Sequence, residues 1–424
     1  MKKISILLLV VVAALSACKK TPEVNLKYVD VERDLITVGT TTATVQCDYE
    51  YITTLKKAFF YYGEGGEETD MNTAEMRVVQ NTLYVDLTGL KENTTYSYYY
   101  EFVNGFNSMR TKAKMFKTET GNGGGDEPPT PPTPPSGVPE GAINGLFTIN
   151  ENGDQVYFSQ GNLQYQASTN TWRFAEYQWD YVGGTDNNGN EYGTVYENGV
   201  KCSNNEISPT YSGWIDMFGW GTSGYNHGAN CYQPWSISDD YYDCYAYGSP
   251  TSHLYEQSGK ADWGYNAISN GGNQENLWRS LSNDEWDYLL NTRNTTSGIR
   301  FTKAYLNGVA GLVITPNNWD GSFYALSSTN DAMASYSSNF ISLSDWNDML
   351  QTSGVVFLPA AGSRKGTEVA YSVRVEWGQY WTASYLNEWM AYPVSFDEYH
   401  LDPPNGFDNR FNGQTVRLVQ DANH

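Results

Sequence analysis

Histidine and cysteine are scarce in this chain, 4 and 5 among 424 residues, which leaves little from which to build a transition-metal centre. Basic residues are outnumbered, 26 Lys+Arg against 48 Asp+Glu, for a formal charge of -22. No Lys/Arg cluster forms the positive face that phosphate recognition requires, so nucleic acid is excluded as a partner. Beyond the N-terminus no apolar run approaches the ~20 residues of a membrane-spanning helix. The signatures H-E-x-x-H, G-x-S-x-G and a glycine-rich phosphate loop followed by Lys are missing too, so no catalytic residue, cofactor or metal is expected from a motif. Paired carboxylates for glycoside hydrolysis stay open as a choice, because their two members can lie far apart in sequence. What the chain does have is aromatic rings: 15% of its residues, including 34 Tyr and 13 Trp, beside only 17% charged residues. That composition belongs to folded domains, and at roughly 150 residues per domain the length holds two or three.

The N-terminus reads MKKISILLLVVVAALSAC. Lys2 and Lys3 form a positive head, residues 4–14 an apolar stretch too short to span a bilayer, and Leu15-Ser16-Ala17-Cys18 a small-residue end before a Cys. This resembles a bacterial lipoprotein signal with its lipobox; the alternative is an ordinary signal peptide with an incidental Cys. The resemblance implies a signal peptide over residues 1–17, cleavage before Cys18, acyl chains on Cys18, and a polar tether over 18–25. Lys19 and Lys20 follow with no Asp after the Cys, which points to the outer membrane, with the acyl chains as the membrane contact and exposure at the cell surface.

From residue 26 to 119 the periodicity is two. Runs at 41–51, 56–62, 83–87, 95–103 and 109–117 are rich in Val, Thr, Tyr and Phe and are separated by Gly, Asn and Glu turns, which predicts a β-sandwich of about seven strands. The stretch Gly89-Leu90-Lys91-Glu92-Asn93-Thr94-Thr95-Tyr96, with Leu87 before it and Tyr98 and Tyr100 after it, resembles the corner of a fibronectin type III domain. The resemblance implies that the Tyr96 hydroxyl bonds back to nearby backbone. The segment has no Trp, so its core falls to Tyr, Phe, Leu and Val, and Cys47 reads as a buried thiol. Residues 120–141 then switch to Gly and to paired prolines, a flexible joint followed by an extended rod.

Residues 142–424 hold all 13 Trp and an acidic balance of 30 Asp+Glu to 12 Lys+Arg. Aromatics alternate with Gly and Asn in long loops. One helix is expected from Ser282, which with Glu285 makes a capping box and places Trp286, Leu289 and Leu290 on one face. A second is expected over 344–351, with Trp346, Met349 and Leu350 inward. Strands are expected at 311–314, 355–359, 379–384, 391–396 and 415–419. The order of Leu277-Trp278-Arg279-Ser280-Leu281-Ser282-Asn283-Asp284-Glu285-Trp286, Tyr380-Trp381-Thr382-Ala383-Ser384 and Gly413-Gln414-Thr415-Val416-Arg417-Leu418-Val419 is similar to the Fibrobacter succinogenes major paralogous domain and related Bacteroidetes surface proteins, within the C-type-lectin-like fold. The resemblance implies a multidomain chain: an all-β fibronectin type III-like sandwich followed by an irregular α+β C-type-lectin-like domain, whose terminal strands close on each other beneath a loop surface that binds a ligand.

The calcium-dependent sugar site of that fold needs Glu-Pro-Asn or Gln-Pro-Asp, and neither occurs; Trp346-Asn347-Asp348 does occur, but on the second expected helix. The reactive late cysteines of the sulfatase-modifying relatives are missing as well, since the last Cys is Cys244. Binding is therefore assigned to aromatic rings beside amides and carboxylates: Trp319 with Asp320, and Trp377, Tyr380, Tyr385, Asn387, Trp389 and Tyr399. Trp278, Trp286, Trp346 and Trp381 are assigned to the core. A disulfide is expected between Cys202 and Cys231, with Cys231–Cys244 as the other pairing. The expected function is a surface lipoprotein presenting a domain that binds glycan or protein, the alternatives being a structural or fimbria-associated subunit and a glycan-processing enzyme.

Overall fold

The structure is a computed structural model that describes residues 34–48, 55, 57–64, 71–79, 82–104, 107–111, 113–118, 137–187, 189, 191–225, 229–243, 251–370, 376–403 and 405–422. The expected signal peptide, Cys18 with its expected tether, most of the Gly/Pro segment and Cys244 lie outside the described residues. The chain divides into two compact units, residues 1–122 and 123–424, and its described part is mostly β-structure with few helices.

The first unit is an antiparallel sandwich of β1 (Asp34–Val38), β2 (Ala43–Asp48), β3 (Lys57–Glu64), β4 (Asn72–Val79), β5 (Thr82–Leu87), β6 (Thr95–Asn104), β7 (Asn107–Arg110) and β8 (Lys114–Lys117). β1, β2 and β5 make one layer, and β3 and β6 with β7 and β8 the other. β4 joins them, pairing Met76 with Ala58 of β3 and Val78 with Leu83 of β5. The run at 109–117, expected as one strand, is two: β7 pairs with the far end of β6 at Phe102↔Met109, and β8 with its start at Tyr96↔Phe116. β1 and β4 fall outside the runs named from the sequence, because polar residues interrupt their apolar pattern. The core is Tyr, Phe, Leu and Val as anticipated, with the Phe60 ring 5.2 Å from Tyr98 and 5.4 Å from Tyr100. Cys47 is fully buried within it. The Tyr96 hydroxyl accepts the Lys91 N–H at 2.8 Å and its ring stacks on Phe116 at 5.3 Å, so one side chain fixes the corner to the β6–β8 pair.

In the second unit, the first and last strands of that unit meet in one sheet. Gln155–Phe158 pairs with Leu418–Asp421, which also pairs with Arg279–Ser280, while Phe147–Thr148 lies on the outer side of Gln155–Phe158. A second sheet orders Phe340–Ile341, Phe301–Leu306, Val309–Ile314 and Val356–Pro359. The two six-residue strands of this sheet are buried along their lengths but for Asn307 and Gly308 in the turn between them. The long hairpin Gly378–Tyr385 with Met390–Phe396 forms a third sheet, joined by Leu401–Asp402 and Asp408–Asn409.

Both expected helices are present and short. Asn283–Asp287 is closed by a capping box in which Ser282 Oγ accepts the Glu285 N–H and Glu285 accepts the Ser282 N–H, and the turn continues to Thr292 with Trp286, Leu289 and Leu290 buried. Leu343–Asp345 continues through Trp346–Leu350 with Trp346 in the core, while Asn347 and Asp348 face solvent. Gly354 ends that segment at φ +83, and a Cβ there would come within 2.3 Å of the Asn144 carbonyl, so only glycine fits.

Irregular backbone leaves carbonyls that no ladder satisfies, and this unit bonds them with side chains from the core. Trp220 Nε1 donates to Thr382 O at 2.9 Å, Trp278 Nε1 to Gly271 O at 2.8 Å and Trp381 Nε1 to Phe218 O at 2.7 Å. Four arginines, Arg293, Arg364, Arg410 and Arg417, are almost fully buried. Arg293 reaches the Leu289 and Thr315 carbonyls and Arg410 those of Asn387 and Met390. The surplus of Trp, Asn and Arg is thus a core built to hold loops. Trp278, Trp286, Trp346 and Trp381 are all 3% exposed or less, which places them where the sequence assigned them.

Asp216 belongs to the same pattern. Its carboxylate is fully buried and accepts the Val182 N–H at 2.8 Å and Asn204 Nδ2 at 2.9 Å. Burial pushes its carboxyl up to about 6, and those two hydrogen bonds oppose the shift only in part. A raised folded value means that the stability this group contributes is complete below the unfolded carboxyl range and is lost as the pH rises through about 6. Lowering the pH from about 7.5 to about 5 is therefore expected to recover about 1–2 kcal/mol through Asp216. Thermal melts across this range should show the gain, and Asp216→Asn should flatten it; an unchanged slope in the variant would place the pH dependence elsewhere.

Candidate functional site

Two of the assigned ligand-binding aromatics are core. Trp319 is 0% exposed and packs edge-on against Phe323 at 4.7 Å, in a cluster with Trp346 and Phe357. Its polar neighbours turn outward or pair among themselves: Asp320 is exposed and accepts the Ser322 N–H and hydroxyl, and these bonds hold its carboxyl below the usual range. Tyr380 is 0% exposed, and its hydroxyl donates to Pro359 O at 2.9 Å and meets Asn162 Oδ1 at 3.3 Å. Flanking Gly and Asn therefore do not mark an exposed ring here: neighbouring groups bond the Tyr380 hydroxyl and the Trp319 backbone, although the Trp319 indole N–H itself is buried without a partner.

The remaining assigned residues divide between the two ends of the long hairpin. At its tip, Asn387 Oδ1 accepts the Trp389 and Met390 N–H groups, each at 2.9 Å, closing the turn and leaving Trp389 40% exposed. Tyr385 is half-buried against His253 at 4.5 Å, and Tyr255 stacks on the same imidazole at 4.8 Å. Trp377 lies at the other end, eight steps of ~3.3 Å from Tyr385, or ~25 Å along the strand. The cluster that looks continuous in sequence is therefore two separate surfaces.

The Trp377 end holds a groove of about 200 Å³ lined by Trp377, Gly378, Gln379, Ser395, Phe396, Asp397, His400 and Asp402. The hairpin builds it. Gly378 pairs with Phe396 and Gln379 with Ser395, so the turn at 397–402 returns beside Trp377. Gly378 is required there, since a Cβ would lie 2.2 Å from the Phe396 ring. Trp377 is half-buried, with its indole N–H 3.4 Å from Ala370 O. Asp397 Oδ1 accepts the Tyr399 N–H at 2.6 Å and the His400 N–H at 2.9 Å, and the His400 ring is 3.2 Å from the same carboxylate. Asp402 is exposed, and no described group bonds its carboxylate. The Gln379 Oε1 atom is buried without a hydrogen-bond partner. Tyr399, 53% exposed, stands on the turn itself. Of the residues at this groove and its turn, the sequence reading named Trp377 and Tyr399 and did not name Gln379, Ser395, Asp397, His400 or Asp402. The signal available was the D-E-Y-H-x-D run directly after an expected strand.

The arrangement can do one thing chemically: present an aromatic face beside several oxygen acceptors. Among the described residues no group of three His, Cys, Asp or Glu could hold a metal ion, and no helix is long and apolar enough to cross a membrane. The expected Cys202–Cys231 bridge is not formed. Cys202 is a buried thiol outside any disulfide, its Sγ accepts the Trp214 N–H at 3.4 Å, and desolvation raises its pKa. The rest of the loop is held by Asn204 and Asp216 instead, so no bridge is needed to tie it.

No protein-family model and no curated protein matches the chain. Solved structures similar to part of it include the third fibronectin III domain of human KIAA0343 protein, at 15% identity, covering 26% of this chain and 98% of that one with a TM-score of 0.19. The fifth fibronectin domain of Drosophila Lar matches at 20% identity over 21% of this chain and 92% of that one, TM-score 0.17. The FN1–FN3 domains of chicken CNTN1 match at 13% identity over 21% of this chain and 29% of that one, TM-score 0.18.

Proposed function

We propose that the chain is a lipid-anchored surface protein whose second unit, a C-type-lectin-like domain, binds a glycan at the Trp377 groove, with the fibronectin-like sandwich and the Gly/Pro segment as its stalk. The observation that carries the reading is the half-buried Trp377 ring beside Gln379, Ser395, Asp397, His400 and Asp402. An indole face stacks on the apolar face of a sugar while amides and carboxylates take its hydroxyls. The pairing of the terminal strands supports the lectin-like assignment, and the missing Glu-Pro-Asn tripeptide makes the binding calcium-independent. The anchor rests on Cys18 and the residues before it.

Two measurements test this. A glycan array probed with the full mature chain should give a restricted set of hits that survives chelation by EDTA; an array without hits would remove the glycan reading. Metabolic labelling with an alkyne fatty acid should mark the wild type and not Cys18→Ala, and label persisting in the variant would remove the anchor.

A further inference from the structure

Resting on the glycan reading of the Trp377 groove, we infer that its ligand is a cationic sugar, an amino sugar whose amine is free and protonated, preferred over the neutral N-acetylated form. Among the described residues the groove is rich in acceptors and poor in positive charge. Asp397 and Asp402 line it, and the acceptor Gln379 Oε1 has no partner. Glu398 and Asp331 act with Asp397 and Asp402 on the Lys303 ammonium, and Glu376 lies beneath, accepting from the Tyr305 hydroxyl at 2.7 Å. Asp397 and Asp402 thus line the groove with His400, and Asp331 and Glu398 join them around Lys303.

Lys303 offsets them only partly. Its ammonium is buried, donates to Ala332 O at 2.7 Å and lies 6.0 Å from the Tyr336 ring centroid. Burial lowers its pKa to about 8, against the pull of the surrounding carboxylates. Among the described groups the charge around the groove is therefore negative on balance, and Trp377 adds an aromatic face that itself attracts a cation.

A lone ammonium, as on a lysine side chain, would use the carboxylates and the ring but leave the Ser395 hydroxyl unmatched. A sugar ring brings hydroxyl groups for Ser395 and an apolar face for the indole. The volume, about 200 Å³, is below the ~300–1,000 Å³ of pockets that enclose a drug-sized ligand, so the groove takes one ring and leaves the remainder of an oligosaccharide outside.

The test is calorimetric titration of the full mature chain with glucosamine oligomers and, separately, with N-acetylglucosamine oligomers of the same length. The glucosamine oligomer is expected to bind about tenfold more tightly. That preference should shrink as salt is raised from low to physiological strength, because exposed charges are screened. Asp402→Asn should abolish most of the preference without loss of fold, since that carboxylate is exposed, accepts no hydrogen bond from a described group, and pulls on Lys303 less than Asp397, Asp331 and Glu398 do. Equal or tighter binding of the N-acetylated oligomer would overturn the cation preference and leave glycan binding standing. Binding of neither oligomer would overturn both. An oligolysine peptide that binds as tightly as the glucosamine oligomer would overturn the assignment to a sugar.

Discussion

Trp319→Ala is expected to cost about 3–5 kcal/mol of stability, the range for truncating a buried aromatic. The side chain is wholly enclosed with Phe323, Trp346 and Phe357, and no solvent reaches the space its removal would leave. The neighbours cannot collapse freely into it, because Ser297 N–H is bonded to Trp319 O at 2.8 Å and Trp319 N–H to Pro316 O at 3.2 Å, which hold the loop where it is. Chemical denaturation of the variant should therefore shift its midpoint strongly downward. A variant as stable as the wild type would return Trp319 to the surface and to the list of ligand-binding candidates.

The second large effect concerns Arg364. Its guanidinium donates to Met217 O at 3.0 Å, to Ser236 O at 3.2 Å and to Gly366 O, while its backbone pairs with Gly413. One side chain thus satisfies carbonyls from three separate segments of loop. Arg364→Ala would leave these acceptors buried and unmatched, at about 1–3 kcal/mol apiece, so a total of at least about 3 kcal/mol is expected. Arg364→Lys should rescue little, since a single ammonium cannot reproduce a planar fork that reaches three directions. Equilibrium unfolding of both variants decides the point: a Lys variant near wild-type stability would mean that charge, and not the fork, holds the loops.

Local chemistry was legible in the sequence where it acts over a few residues. Ser282 and Glu285 form the capping box that their spacing announces, and Tyr96 bonds five residues back to Lys91. Trp286, Trp346 and Trp381 sit in the core because each falls on the inner face of a short regular element, and Trp278 sits there directly before the Arg279–Ser280 strand. The site was less legible, for a physical reason. Whether a ring flanked by Gly and Asn faces in or out depends on which distant groups satisfy its neighbourhood: near Trp319, Arg293 bonds Asn317, and for Tyr380 the partners are Asn162 and Pro359. The hairpin also rearranges proximity. Trp377 and Trp389, close in sequence, stand at opposite ends of one strand pair, whereas Asp397 to Asp402, about twenty positions from Trp377, fold back beside it. No periodicity encodes that return, because it depends on the register of Gly378 with Phe396.

The measurement that bears most directly on the Trp377 groove compares wild type with Trp377→Ala in the full mature chain, reading glycan affinity and melting temperature on the same samples. The variant is expected to lose about 1–3 kcal/mol of binding free energy, as for an aromatic anchor removed from a binding surface, with a melting temperature close to that of the wild type. Undiminished binding, or a variant that melts early in the way expected of Trp319→Ala, would contradict the assignment of the groove as the ligand site.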